Sequence, residues 1–189
     1  MLRKKENPYE RCPIYESKGF ILRLVEEKDS EDLLECYSNP IAAKFFNSDN
    51  CTSDFIYETL DEMKECIKFW ICEYKNNGYV RFSIVDKIRN KAIGTIEMFA
   101  KQDYIGEFGE VGVLRLDLAS KYEKVEVITE LLDTIEANFY CDFEVENIIT
   151  KAIPEAIQRV SALKNRGFRE LETNTIVPFD CYFLKSKRG

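Results

Sequence analysis

The chain has 189 residues, with 27 Lys and Arg against 34 Asp and Glu, no His, and a formal net charge of −7. That length suits one domain, 1–189, with a sizeable core. The acidic balance argues against nonspecific binding to nucleic acid, the missing histidine removes any Ser-His or Cys-His nucleophile pair, and no apolar run is long enough to cross a bilayer.

Residues 1–18 read as an extended lead-in, because Pro8 and Pro13 block helix. The charged start, Met1 to Pro8, lacks the apolar core of a signal peptide, so a cytoplasmic location is expected. The seven cysteines include no Cys-x-x-Cys pair, which speaks against a zinc site and for reduced thiols. Cys36, Cys66 and Cys141 fall in apolar-periodic segments and read as small core residues.

Residues 20–25 form a short strand. Asp29 and Ser30 then offer a cap to a helix with the stripe Leu33, Leu34 and Tyr37. Asn39 and Pro40 close it, and a second short helix spans 41–46. Thr52, Ser53 and Asp54 are expected to cap a long helix reaching Lys75. Its stripe is Ile56, Leu60, Met63, Ile67, Trp70 and Tyr74, either a packing face or a short dimer seam. Asn76-Asn77-Gly78 supplies the C-cap. Strands over 79–86 and 92–100 make a hairpin, the first alternating Val80, Phe82 and Ile84 against Arg81, Ser83 and Val85. The polar stretch 101–109 reads as a loop.

The strongest unit lies beyond that loop. Val111, Val113, Leu114, Leu116 and Leu118 give an apolar strand, then Ile128, Leu131, Leu132, Ile135 and Phe139 recur at helical spacing. A strand running into a helix sets the helix's free N–H groups beside the strand's carboxyl end, where anions bind. Ser120-Lys121-Tyr122-Glu123 fits a capping box at that point, which would occupy two of those donors. A strand over 145–153 comes next. Pro154 opens a helix with the stripe Ile157, Val160 and Leu163, and Gly167 suits its C′ position. Strands over 168–173 and 177–185 form a final hairpin.

The opening 20–46, the Ile93-Gly94 pair, the strand–turn–helix over 110–139 and the ending Lys164-Asn165-Arg166-Gly167-Phe168 resemble the GNAT acyltransferases, in particular the branch that includes the ribosomal-protein N-terminal acetyltransferases. The resemblance covers 20–184. It implies an α/β fold with a twisted, splayed mixed sheet flanked by helices on both faces. It also implies acetyl-CoA as cosubstrate, its pantetheine arm entering where the central strand and its neighbour part. Backbone groups of Leu116, Asp117 and Leu118 would hold the thioester. Aligned on Tyr122, the positions of the family's Arg-Gly-x-Gly-x-Gly/Ala pyrophosphate turn hold Glu123, Lys124, Val125, Glu126, Val127 and Ile128. Every expected glycine is replaced.

Transfer to an amine needs a base, an oxyanion donor and two reactants in register. Glu97 and Glu110 are the candidate bases, with solvated strand-edge carboxylates as the bland alternative. The family's Asn and general-acid Tyr on the last helix correspond to Ala156 and Leu163, and nothing singles out Tyr122 or Tyr140 as a substitute. The implied acceptor is a small-molecule amine or a protein N-terminus, with no nucleic acid or membrane partner and a possible homodimer. A GNAT-like binding or regulatory module without transferase activity stays open beside the transferase.

Overall fold

The structure, a computed structural model, describes residues 7–101 and 108–187. Eight strands form one sheet in the order β1-β2-β3-β4-β5-β6-β8-β7. These are β1 Tyr15–Glu16, β2 Phe20–Leu24, β3 Val80–Asp86, β4 Lys91–Lys101, β5 Val111–Leu118, β6 Asn147–Lys151, β7 Arg169–Glu170 and β8 Tyr182–Ser186. Every neighbouring pair is antiparallel except β5 with β6. That parallel step needs a crossover, and α4 (Val125–Asp142) supplies it. The other helices are α1 Ser30–Tyr37, α2 Pro40–Ala43, α3 Leu60–Lys75 and α5 Ile157–Asn165. The result is a mixed α/β sheet flanked by helices, as the resemblance implied.

The apolar patterns explain the layers. On α4, Ile128, Leu131, Leu132, Ile135 and Phe139 are all buried. The Phe139 ring packs against Phe82 of β3 and Tyr15 of β1. On the opposite face, Tyr37 of α1 and Trp70 of α3 pack together. Each such large side chain contributes roughly 1.5–3 kcal/mol on burial. The α3 stripe is therefore a packing face, with Met63, Ile67 and Trp70 inside. Helices cover both faces, so β3 is buried at every position, Arg81 and Ser83 included.

Several boundaries differ from the sequence expectation, each for a local reason. Helix α3 starts at Leu60, where Thr59 and Glu62 form a reciprocal capping box. Ser53 and Asp54 instead accept bonds from the Phe55 and Ile56 N–H groups in a turn. Asn77, not Gly78, takes the left-handed position at the other end (φ 57°). Asp29 does not cap α1, because its carboxylate is engaged by Arg23, Ser83 and the Glu26 N–H. Helix α2 ends at Ala43, with Asn39 accepting from the Ile41 and Ala42 N–H groups. Pro154 sits in a turn ahead of α5, and Ile157 is 68 % exposed. The buried face of α5 is Arg159, Ala162 and Leu163. Cys36 and Cys66 are core residues, but Cys141 is exposed on α4. Of the expected loop, Lys101 belongs to β4, and 102–107 lie outside the described residues.

Gly94 sets how closely two central strands approach. Its φ is +156°, and a Cβ there would overlap the Asp117 carbonyl oxygen. Without a side chain, β4 lies close against the last residues of β5, where Gly94 pairs with Leu118.

Candidate functional site

The sheet opens at the carboxyl end of β5. Its pairing with β6 covers only Val111 to Leu114, opposite Asn147 to Thr150. From Arg115 onward, β5 is paired with β4 alone. The Ala119 N–H donates to Ile93 on the β4 side. Because backbone groups alternate sides along a strand, those of Leu116 and Leu118 face the gap. The side chain of Asp117, between them, turns into a buried charge cluster.

In that cluster, Arg81 is 1 % exposed. It donates to Asp117 Oδ2 (3.0 Å) and Thr95 Oγ1 (3.0 Å), pairs with Glu97, and stacks 4.2 Å from the centre of the Trp70 ring. Tyr37 donates to Asp117 Oδ2 (2.7 Å). Burial pushes the Tyr37 phenol well up, and the Asp117 charge adds to this. Burial alone would lower the Arg81 pKa, but Glu97, Tyr37 and Asp117 outweigh it and raise it further. Glu97 also pairs with Arg115 (3.3 Å), so each of its oxygens faces a guanidinium. Glu110 is exposed and precedes β5, roughly 20 Å of extended strand from Leu116. The two candidate bases are thus not brought together at the gap.

The gap holds Arg159 of α5, itself 2 % exposed. Its Nη1 donates to the Leu116 carbonyl (2.8 Å) and to the Phe45 carbonyl (2.8 Å). Its Nε and Nη2 grip the two oxygens of Glu123 at 2.9 and 2.8 Å. That is the planar, bidentate geometry in which Arg and carboxylate bind best. The 45–51 segment lies across the same opening. Lys151, at the end of β6, holds Asp49 (2.7 Å), Asn47 donates to Tyr182 Oη (2.9 Å), and Arg115 donates to the Asp49 carbonyl (2.7 Å).

The expected capping box is absent. Ser120 to Tyr122 form a 3-10 turn, the Ser120 hydroxyl accepts from Asn39 (3.1 Å), and Glu123 is committed to Arg159. The 3-10 turn displaces the helix start, so Lys124 precedes α4 and Val125, Glu126, Val127 and Ile128 are already helical. Lys124 and Glu126 are exposed, Val125 and Val127 lean on the core, and Ile128 is fully buried. The Val125 N–H donates to Gln158 Oε1 (3.2 Å). Thus side chains from the first turn of α5 take both a sheet-edge carbonyl and the first N–H of α4. Tyr122 donates to Asp86 (2.8 Å) and Tyr140 to the Lys185 carbonyl (2.9 Å), so both phenols are anchored away from the gap.

Sequence pattern alone passes over Arg159, Arg81, Arg115, Asp49 and Lys151. A signal for Arg159 exists: it lies three residues before Ala162 and four before Leu163, on the face those two bury. The apolar Ile157 and Val160 mask it.

No family model and no curated protein matches the sequence. Solved structures do match it. A GNAT-family acetyltransferase from Bacillus anthracis superposes with a TM-score of 0.69 at 14 % identity, over 94 % of this chain and 100 % of that one. Spermidine N-acetyltransferase from Vibrio cholerae, solved with CoA and spermine, gives 0.65 at 16 %, over 90 % and 96 %. The Salmonella typhimurium acetyltransferase that modifies the N-terminal serine of ribosomal protein L7/L12 gives 0.67 at 10 %, over 92 % and 99 %. The fold is therefore that of the GNAT acetyltransferases, ribosomal-protein N-acetyltransferases among them. As arranged in this chain, the residues at the gap do not fit a pantetheine diphosphate. Arg159 takes the Leu116 carbonyl, and Glu123 sets a carboxylate beside the turn.

Proposed function

We propose that this chain is an acyl-CoA-dependent N-acyltransferase, acting on a primary amine of a small molecule or a protein N-terminus by direct attack in a ternary complex. The observation that carries this reading is the parting of β5 from β6 after Leu114 and Thr150, which turns the backbone groups of Leu116 and Leu118 to an opening. Coenzyme A in the Vibrio cholerae spermidine acetyltransferase adds support from a neighbour of the same fold. Glu97 and Glu110 are the candidate bases of the reading, Glu97 with a guanidinium on each oxygen and Glu110 exposed ahead of β5. The acidic net charge suits a cationic acceptor.

A second reading, a GNAT-fold binding module without transferase activity, is favoured by Arg159 on the Leu116 carbonyl and by the glycine-free turn. Calorimetric titration of the purified chain with acetyl-CoA, and with coenzyme A, separates the two. Micromolar binding supports the transferase and justifies an amine screen. No heat up to millimolar ligand, from the native chain or from Arg159→Ala, supports the module and turns the search to protein partners.

A further inference from the structure

We infer that Arg159 and Glu123 form a latch that keeps the gap between β5 and β6 shut. This deepens the transferase reading and rests on it. The geometry is that of an occupant. Four hydrogen bonds from one buried guanidinium join α5, β5, the segment before α4 and the segment after α2. The Leu116 carbonyl it holds belongs to the free strand edge, the part of the sheet where an amide-bearing ligand must bind. Glu123, the carboxylate it holds, comes just after the turn where an anion would approach α4. Gln158, its neighbour in sequence, satisfies the Val125 N–H. The first turn of α5 thus supplies one donor group to the sheet edge and one acceptor to the helix.

Nothing covalent fixes this arrangement. Two of the four contacts need Arg159 and Glu123 to stay in register, and the other two end on carbonyls, of which that of Leu116 can be re-bonded by an incoming amide. Opening is an exchange of hydrogen bonds, and either partner of the pair controls it. Lys151 on Asp49 and Arg115 on the Asp49 carbonyl hold the adjacent 45–51 segment without contacting Glu123 among the described residues. The latch is tied to that second closure at one point, where Arg159 also donates to the Phe45 carbonyl of the same segment.

The test is calorimetric titration of coenzyme A into the wild-type full chain, Arg159→Ala, Glu123→Ala and the double variant. Circular dichroism checks that each is folded. The expected result is a gain in affinity of tenfold or more in each single variant. The double variant should gain no more than the better single, because one latch opens only once. Gains that add in the double variant would mean two independent obstructions rather than one latch, and would overturn the inference. Wild-type binding with no gain in any variant would overturn the latch and leave the transferase reading standing. No binding by any variant would overturn both. If a single variant does not fold for want of a charge partner, Glu123→Gln with Arg159→Gln carries the test, with the same gain expected and the same absence of gain decisive.

Discussion

Arg81 and Arg159 are both buried guanidiniums held by carboxylates, yet their surroundings differ in kind. Around Arg81 the sheet is continuous. Its partners come from α1, β4 and β5, and the face of Trp70 closes over it. Around Arg159 the sheet is interrupted. Two of its acceptors are main-chain carbonyls that no strand or helix uses among the described residues, and its carboxylate stands just before α4 rather than inside the sheet. The first arginine completes a core. The second fills a place where the backbone has been left unpaired. A buried ion pair says little about function until one asks which backbone groups its removal would leave exposed.

The sharpest way to break this comparison is to remove each arginine in turn. Arg81→Met strands Glu97 and Asp117 in a dry layer, and the loss of one partner of a buried pair costs about 3–5 kcal/mol. Urea unfolding should show that loss. Arg159→Ala leaves two carbonyls without donors, at about 1–3 kcal/mol for each that water does not reach, and a Glu123 just before α4 that can swing toward water. Equal destabilisation in the two would mean that Arg159 is as much a core residue as Arg81, and the contrast would fail.

Acid titration sharpens the contrast from a third site. Burial would raise the Asp29 pKa, but bonds from Arg23, Ser83 and the Glu26 N–H outweigh it, and the carboxyl sits below its ordinary value. The depressed folded pKa means that Asp29 stabilises the fold above the unfolded value of about 3.9, and that this is lost as pH falls through the lower folded value. Asp29→Asn should weaken the fold at neutral pH and flatten the slope of stability below about pH 4. An unchanged acid slope would remove Asp29 from the stabilising set.

The smallest effect is chemical. Cys72 and Cys141 are exposed, while Cys36 and Cys66 are buried. Burial pushes the Cys66 thiol up to about 11 and Cys12 up to about 12. A thiol reagent should therefore modify Cys72 and Cys141 first in the native chain. Fast labelling of Cys36 or Cys66 would show a core looser than the packing around Tyr37 and Trp70 requires.

The elements are legible in the sequence because each announces itself locally. The β5 run, the α4 stripe and the Gly167 stop depend on residues a few positions apart, and all three stand as expected. The start of α3 is ambiguous because Thr52, Ser53 and Asp54 have the same chemistry as Thr59, and only the reciprocal bond to Glu62 chooses between them. The site is less legible for a different reason. Whether Glu97 is a solvated edge carboxylate or a buried one depends on β4 being an interior strand, with β3 and β5 on its two sides. Likewise Ser120-Lys121-Tyr122-Glu123 satisfies the capping pattern, but Arg159, remote in sequence, competes for Glu123 and wins with two bonds in place of one. Local pattern finds elements; long-range pairing decides what their polar residues do.

The order of residues along the chain gives the two arginines different histories. Tyr37, Arg81, Thr95, Glu97 and Asp117 have all been synthesised by the time β5 is complete, so their cluster needs nothing that comes later. Arg159 comes after β6 in sequence, and β8, which zips onto the far edge of β6, comes after Arg159. Arg159 and Glu123 stand on opposite sides of β6 in the chain, so their pair forms only when the whole β5–α4–β6–α5 crossover is in place, whereas the Arg81 cluster is complete by the end of β5.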